Sequence, residues 1–169
     1  MEILYLQNNN LMGSIPATIF NISTLQEVAF LQNQLSGKLP SSTGVSLPNL
    51  KKLFLGENEL SGIVPDSISN ASKLVKLGLS DNKFNGSIPS LLGNLRLLEY
   101  LDLQGNNFTC ESSSSELSFL NSLTIMDGNE LTGLIPTTIK SLKKLQDKFQ
   151  TPLEVYKPIQ HYLITIYLV

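Results

Sequence analysis

Few residues in this chain could do chemistry, and they stand apart from one another. There is one cysteine, Cys110, and one histidine, His161. A single cysteine excludes an internal disulfide framework and a cysteine-based zinc site, and a single histidine excludes a His pair for a metal. Cys110 has no His or Asp motif beside it, so it reads as a small buried residue rather than a nucleophile. Ser112 to Ser115 read as a loop, and no Ser-His-Asp set is visible. The chain also lacks the Gly-rich loop, HRD and DFG motifs of a protein kinase. The expectation is a protein with no catalytic residue, metal or cofactor of its own.

One covalent chemistry is written into the sequence. Asn21-Ile-Ser, Asn70-Ala-Ser, Asn85-Gly-Ser and Asn107-Phe-Thr match the N-x-[ST] acceptor of N-linked glycans. So short a pattern also arises by chance in chains rich in Asn and Ser. Asn21 and Asn70 share one phase of the repeat described below, which favours glycans on an outer flank. The structural alternative is an Asn that caps a helix end.

Composition narrows the partners. The net charge of −2 over 169 residues offers no basic surface for nucleic acid or an anionic membrane. Hydrophobic residues make up 41%, enough for a buried core, while only 15% are charged, leaving a surface of Asn, Ser, Thr and Gln that leans extracellular. The N-terminus, MEILYLQNNN, has no basic region followed by an apolar stretch, so no signal peptide is expected in this chain. The most apolar tail segment, Tyr162 to Val169, has eight residues, well short of the roughly 20 that a membrane-spanning helix needs.

The elements that must carry any site come from an internal repeat. Asn9, Asn33, Asn58, Asn82, Asn106 and Asn129 recur at spacings of 24, 25, 24, 24 and 23 residues. Four of these are preceded by an LxxLxLxx frame, as in Leu50, Leu53, Leu55 before Asn58 and Leu74, Leu77, Leu79 before Asn82. The period-two pair in this frame predicts a strand with one buried face. Gly13, Gly37, Gly62, Gly86 and Gly133 then recur at one phase, predicting one recurring bend with positive φ. Pro16, Pro40, Pro65, Pro89 and Pro136 follow each Gly by three residues and should limit pairing on the outer side of the coil. The remainder of each coil, such as SLLGNLRLLEY, has apolar residues near helical spacing and predicts a short helix or 3-10 turn.

One such coil buries too few side chains to offset its own ordering, so coils must stack. The repeated Asn is read as structural, turned inward and bonding backbone groups of its own and the next coil. The expected fold is α/β, a right-handed leucine-rich-repeat solenoid of about six coils. Its parallel sheet lies on the concave face and its short helices or 3-10 turns on the convex face. Residues 1–146 form the array, irregular at 107–124, and 147–169 a non-repeat tail.

The LxxLxLxxNxLxGxIP pattern, over roughly Met1 to Gln146, resembles the plant-specific class of leucine-rich repeats. That class forms the ectodomains of receptor-like kinases and receptor-like proteins, and also the polygalacturonase inhibitors. The stretch NNFTCESSSSELSFLNSLT, from Asn106 to Thr124, is similar to an irregular coil of immune-receptor kinases. The resemblance implies a recognition module on the extracellular side of the plasma membrane, with a peptide or protein ligand and a co-receptor kinase as partners. The alternatives are a secreted polygalacturonase-inhibitor-like protein and a truncated fragment without an independent role. Three departures bear on the last of these. The family's N-terminal cap with its paired cysteines is missing. Coil five has Cys110 where Gly belongs, and Leu123-Thr-Ile125 falls one residue out of register with Asn129, as if two coils were joined across a deletion. DKFQTPLEVYKPIQHYLITIYLV, from Asp147, matches no repeat.

By resemblance the concave strand face binds the ligand, and alternation along a strand says which residues line it. They are the positions two, four and six before each Asn: Ile3, Tyr5, Gln7; Glu27, Ala29, Leu31; Lys52, Phe54, Gly56; Lys76, Gly78, Ser80; and Tyr100, Asp102, Gln104. Tyr5, Leu31, Phe54 and Tyr100 are expected as exposed apolar side chains on a polar surface. They form either a peptide-binding track or the scattered apolar residues any surface carries. Lys52 and Lys76 hold the same place in consecutive coils. They could receive a carboxylate, or be balanced by Glu27 and Asp102 on the flanking coils.

Overall fold

The computed structural model describes residues 2–109 and 123–131. Each coil opens with a three-residue strand: β1 (Ile3–Tyr5), β3 (Glu27–Ala29), β5 (Lys52–Phe54), β7 (Lys76–Gly78), β9 (Tyr100–Asp102) and β11 (Leu123–Ile125). In β3 to β9 the first residue of the LxL-type pair is the central strand residue and the second lies just past the strand. These pair in order into one parallel six-stranded sheet. Its register joins equivalent repeat positions, so Val28, Leu53, Leu77 and Leu101 lie side by side, each fully buried.

After each Asn the chain forms a second strand: β2 (Met12–Ser14), β4 (Gln34–Gly37), β6 (Glu59–Gly62), β8 (Lys83–Ser87) and β10 (Asn107–Thr109). They make a parallel five-stranded sheet, where only turn chemistry was expected. The proline does limit pairing, but only from its own position onward; the residues between Asn and Pro keep their backbone donors and pair first. Neighbours in this sheet are staggered, so that Ser36 faces Glu59 and Ser61 faces Lys83.

Among the described residues three short 3-10 helices close coils, η1 (Ile19–Asn21), η2 (Asp66–Asn70) and η3 (Ser90–Asn94). Each buries one apolar residue, Phe20, Ile68 and Leu92 respectively. Between the sheets and helices lies one continuous core, including the stacked rings of Phe84 and Phe108 with centroids 6.3 Å apart.

The Asn ladder forms, with one correction of direction. Asn82 donates from Nδ2 to the Leu79 and Ser80 carbonyls of its own coil and to Leu55 O of the coil before it. Its Oδ1 accepts the Leu60 N–H of that same preceding coil at 2.9 Å. Asn33, Asn58, Asn106 and Asn129 repeat the pattern. The bonds therefore run to the preceding coil, not the next. Asn9 bonds only the Leu6 and Gln7 carbonyls of its own coil.

The residue before each Asn is the second periodic positive-φ position, at Asn8, Gln32, Glu57, Asp81, Gly105 and Gly128. Gly13, Gly37, Gly62 and Gly86 confirm the first.

Register at β11 also differs from expectation. Leu123 pairs with Tyr100, Thr124 with Leu101 and Ile125 with Asp102. Asn129 is thus in step with the ladder, and Thr124 and Met126 hold the register positions of Leu101 and Leu103. Met126 is buried where Leu103 is buried one coil earlier. Hydrogen-bond register outweighs the apolar pair: Phe108 N–H reaches Asn129 Oδ1 at 3.0 Å. Cys110, Ser112 to Ser115, Gly133, Pro136, His161 and the tail from Asp147 lie outside the described residues.

Candidate recognition surface

The outward face of the six-stranded sheet carries three rows, one for each outward position of the repeat. The first runs Ile3, Glu27, Lys52, Lys76, Tyr100 and the second Tyr5, Ala29, Phe54, Gly78, Asp102, both fixed by strand pairing. The third, just past the strands, runs Gln7, Leu31, Gly56, Ser80, Gln104.

Charge on the first row is partly spent internally. Lys52 Nζ lies 2.9 Å from Glu27 Oε1, and the Tyr5 hydroxyl donates to Glu27 Oε2. The Tyr5 bond, with Lys52 next in effect, holds the Glu27 carboxyl below the usual carboxylate range. The hydrogen bonds to Glu27 in turn raise the Tyr5 phenol and the Lys52 ammonium. Lys76 is exposed and, among the described residues, has no ion-pair partner. Of the two readings of the lysine pair, balance by acid holds for Lys52 alone.

Asp102 does not balance Lys76. It is buried, accepts the Tyr100 hydroxyl at 2.9 Å, and takes the Gln104 N–H at 3.2 Å. Burial first, then the Asp102 bond, pushes the Tyr100 phenol up to about 12.

The four apolar side chains are less uniform than expected. Tyr5 is exposed, but Leu31, Phe54 and Tyr100 are half-buried. For Phe54 and Leu31 the reason is a glycine in the next coil. A Cβ at Gly78 would meet Phe54 Cδ1 at 2.8 Å, so the Phe54 ring lies down over that bare backbone. Leu31 Cδ2 covers Gly56 in the same way, with Ser80 Oγ on its other side. Gly56 and Gly78, placed outward by alternation, are accordingly buried beneath these side chains, and Ala29 and Asp102 on the same face are buried as well. Gln7 is exposed, and Glu27, Ser80 and Gln104 are half-buried.

One residue escaped the sequence reading. Asp127, two before Asn129, extends the third row, and its Oδ1 is buried without a hydrogen-bond partner. The position was countable from the ladder, but the register assumed for Leu123-Thr-Ile125 hid it.

The four sequon asparagines are all exposed, away from this face. Asn21 and Asn70 end η1 and η2, whereas Asn85 and Asn107 stand on the five-stranded sheet. Among the described residues no cluster of His, Cys, Asp or Glu could hold a metal ion. No described helix is long and apolar enough to cross a membrane.

A solenoid with this strand face, Asn ladder and glycine bend defines its class. The leucine-rich repeat family description matches residues 23–84 and 48–108, and a second leucine-rich repeat description matches residues 1–22 and 97–123. The chain belongs to the leucine-rich-repeat family. Within it the similarity is to plant receptors. Receptor-like protein 39 of Arabidopsis thaliana is 34% identical over 151 residues, covering 88% of this chain and 14% of that protein. The structure of the plant peptide hormone receptor RGFR1 in complex with RGF2 superposes with a TM-score of 0.75 at 36% identity, over 84% of this chain and 23% of that one. The Arabidopsis receptor kinase HAESA, in complex with the peptide hormone IDA and the co-receptor SERK1, gives 0.74 at 32% identity, over 84% and 24%. The chain spans about 14% of the length of the curated relatives it matches.

Proposed function

We propose that this chain is a recognition segment of the extracellular repeat region of a plant receptor-like protein or receptor-like kinase. Its own residues bind and do not catalyse. The ligand is a peptide or protein lying along the outward face of the six-stranded sheet, with a co-receptor kinase as the second partner and the outer side of the plasma membrane as the place of work.

The observation that carries this reading is the mixture on that one face. Aromatic side chains at Tyr5, Phe54 and Tyr100 are interleaved with the unpaired ammonium of Lys76 and the carboxylates of Glu27 and Asp102. The Phe54 ring can surrender area to a ligand at little entropic cost, because it already lies flat over Gly78. Lys76 offers a charge that no side chain in the described residues claims. The peptide-hormone complexes among similar structures support the same assignment.

The test is selection of a displayed peptide library on the full chain, followed by affinity measurement for the enriched sequences. Phe54→Ala, Lys76→Ala and Tyr100→Ala should each weaken binding at least several-fold, while Met12→Ser and Ile63→Ser on the other sheet's side leave it unchanged. Binders sensitive only to the second pair would overturn the proposal.

A further inference from the structure

Two of the four sequons meet in space. Strand β10 pairs with β8 in the register Asn107 to Asn85, Phe108 to Gly86 and Thr109 to Ser87. The two acceptor triplets therefore lie against each other residue by residue. Phe108 is buried and both asparagines are exposed, so both side chains leave the five-stranded sheet on the same face. Neighbouring strands stand about 4.8 Å apart. That spacing suits two asparagines but not two branched oligosaccharides rooted side by side.

The two amides differ in what they already do. Asn107 Nδ2 donates to Glu130 Oε1 of the following coil at 2.9 Å. Asn85 has no side-chain hydrogen bond among the described residues. It also leaves the ribosome first, before the strand that brings Asn107 beside it.

We propose that Asn85 and Asn107 form a single acceptor site that carries one N-linked glycan, borne by Asn85. In the transfer, Asn85 Nδ2 forms a bond to the anomeric carbon of a lipid-pyrophosphate-linked oligosaccharide. The bond from that carbon to the pyrophosphate oxygen breaks, the lipid pyrophosphate leaves with the electron pair, and the amide gives up one proton. Asn107 keeps its amide for Glu130. With Asn21 and Asn70 at the ends of η1 and η2, no acceptor lies on the six-stranded sheet. Glycans at these sites would coat the other sides of the solenoid and leave the proposed recognition face bare. The inference rests on the chain's passage through a secretory compartment, and an added leader supplies that passage independently of any ligand.

The experiment secretes the full chain behind a cleavable leader from plant cells, with Asn21→Gln and Asn70→Gln removing the other acceptors. Intact mass counts glycans on the folded, soluble fraction, and deglycosylation in 18O-water marks the occupied Asn in peptide maps. The expected result is one glycan per molecule, on Asn85. Adding Ser87→Ala, which cancels the Asn85 sequon while keeping the Asn, should move the single glycan to Asn107. Asn85→Gln should do the same, so a folding defect in one variant leaves the other. Two glycans on one folded molecule would overturn the proposal. So would occupancy of Asn107 in preference to Asn85, an unmodified pair, or an Asn107 that stays empty in both variants.

Discussion

The side-chain oxygen of Asn82 accepts the backbone N–H of Leu60, 22 residues earlier, and both residues are buried. The same Asn donates to Leu55 O, so one amide closes a donor and an acceptor that belong to another coil. Replacing Asn82 with Ala leaves the buried Leu60 N–H unpaired at about 1–3 kcal/mol, while Leu55 O keeps its bond from Asn58 Nδ2. The expected loss is about 1–3 kcal/mol, read as a lower urea midpoint by far-UV circular dichroism. Asn9→Ala is the internal control. Asn9 is exposed and bonds only its own coil, so its loss should stay below about 1 kcal/mol. Equal losses at the two positions would show that the ladder does not join coils.

Gly44 and Gly13 separate two reasons for glycine. Both have positive φ, at +98° and +80°. At Gly44 a Cβ would also stand 2.2 Å from the Ser67 carbonyl oxygen and 2.7 Å from Ile68 Cα, where η2 closes onto the preceding coil; at Gly13 it would meet nothing within 4 Å. Gly13→Ala should cost about 1–2 kcal/mol, the left-handed backbone penalty. Gly44→Ala adds overpacking against backbone that cannot swing aside, for a total of about 3 kcal/mol or more. Thermal melts of the two variants, compared at one scan rate, give the order.

Acid should weaken the Tyr5, Glu27 and Lys52 network. The Glu27 carboxyl titrates below its ordinary value because the folded state supplies the Tyr5 hydroxyl and then Lys52. Its contribution is present above the ordinary carboxylate pKa and is lost as pH falls through the depressed one. Carboxyl carbon NMR shifts should show Glu27 titrating below the ordinary glutamate range. Tyr5→Phe should move its midpoint upward further than Lys52→Met does, because the hydroxyl is the larger cause. The reverse order would reassign the shift to the ion pair.

The parts of this fold legible in the sequence are those where one coil decides its own chemistry. Leu53, Leu77 and Leu101 face inward because period two and burial leave them no other face, and Gly37, Gly62 and Gly86 mark a bend because φ is positive there. What depends on two coils at once was harder to read. The direction of the Asn82 bonds is one case, and the positive φ at Asp81, Gln32 and Glu57 falls on residues that do not announce such a turn. The burial of Phe54 required knowing that Gly78 lies beside it, which is a matter of lateral register. In coil six the apolar pair Leu123 and Ile125 pointed to one register and Asn129 to another, and the hydrogen bonds of the Asn prevailed.

Tyr100 should be the last tyrosine to ionise within the repeat array. Its phenol is pushed up to about 12, by burial first and by the bond to Asp102 second. Because the folded value lies above the ordinary phenol near 10, the contribution to stability is complete below that ordinary value. It is lost as pH rises through about 12. Absorbance at 295 nm should show a late phenolate step that Tyr100→Phe removes. Asp102→Asn keeps the burial but removes the carboxylate, so it should bring the step earlier without abolishing the delay. An unchanged late step in Tyr100→Phe would assign it to another tyrosine. A step that returns fully to the ordinary range in Asp102→Asn would make the carboxylate, not desolvation, the main cause.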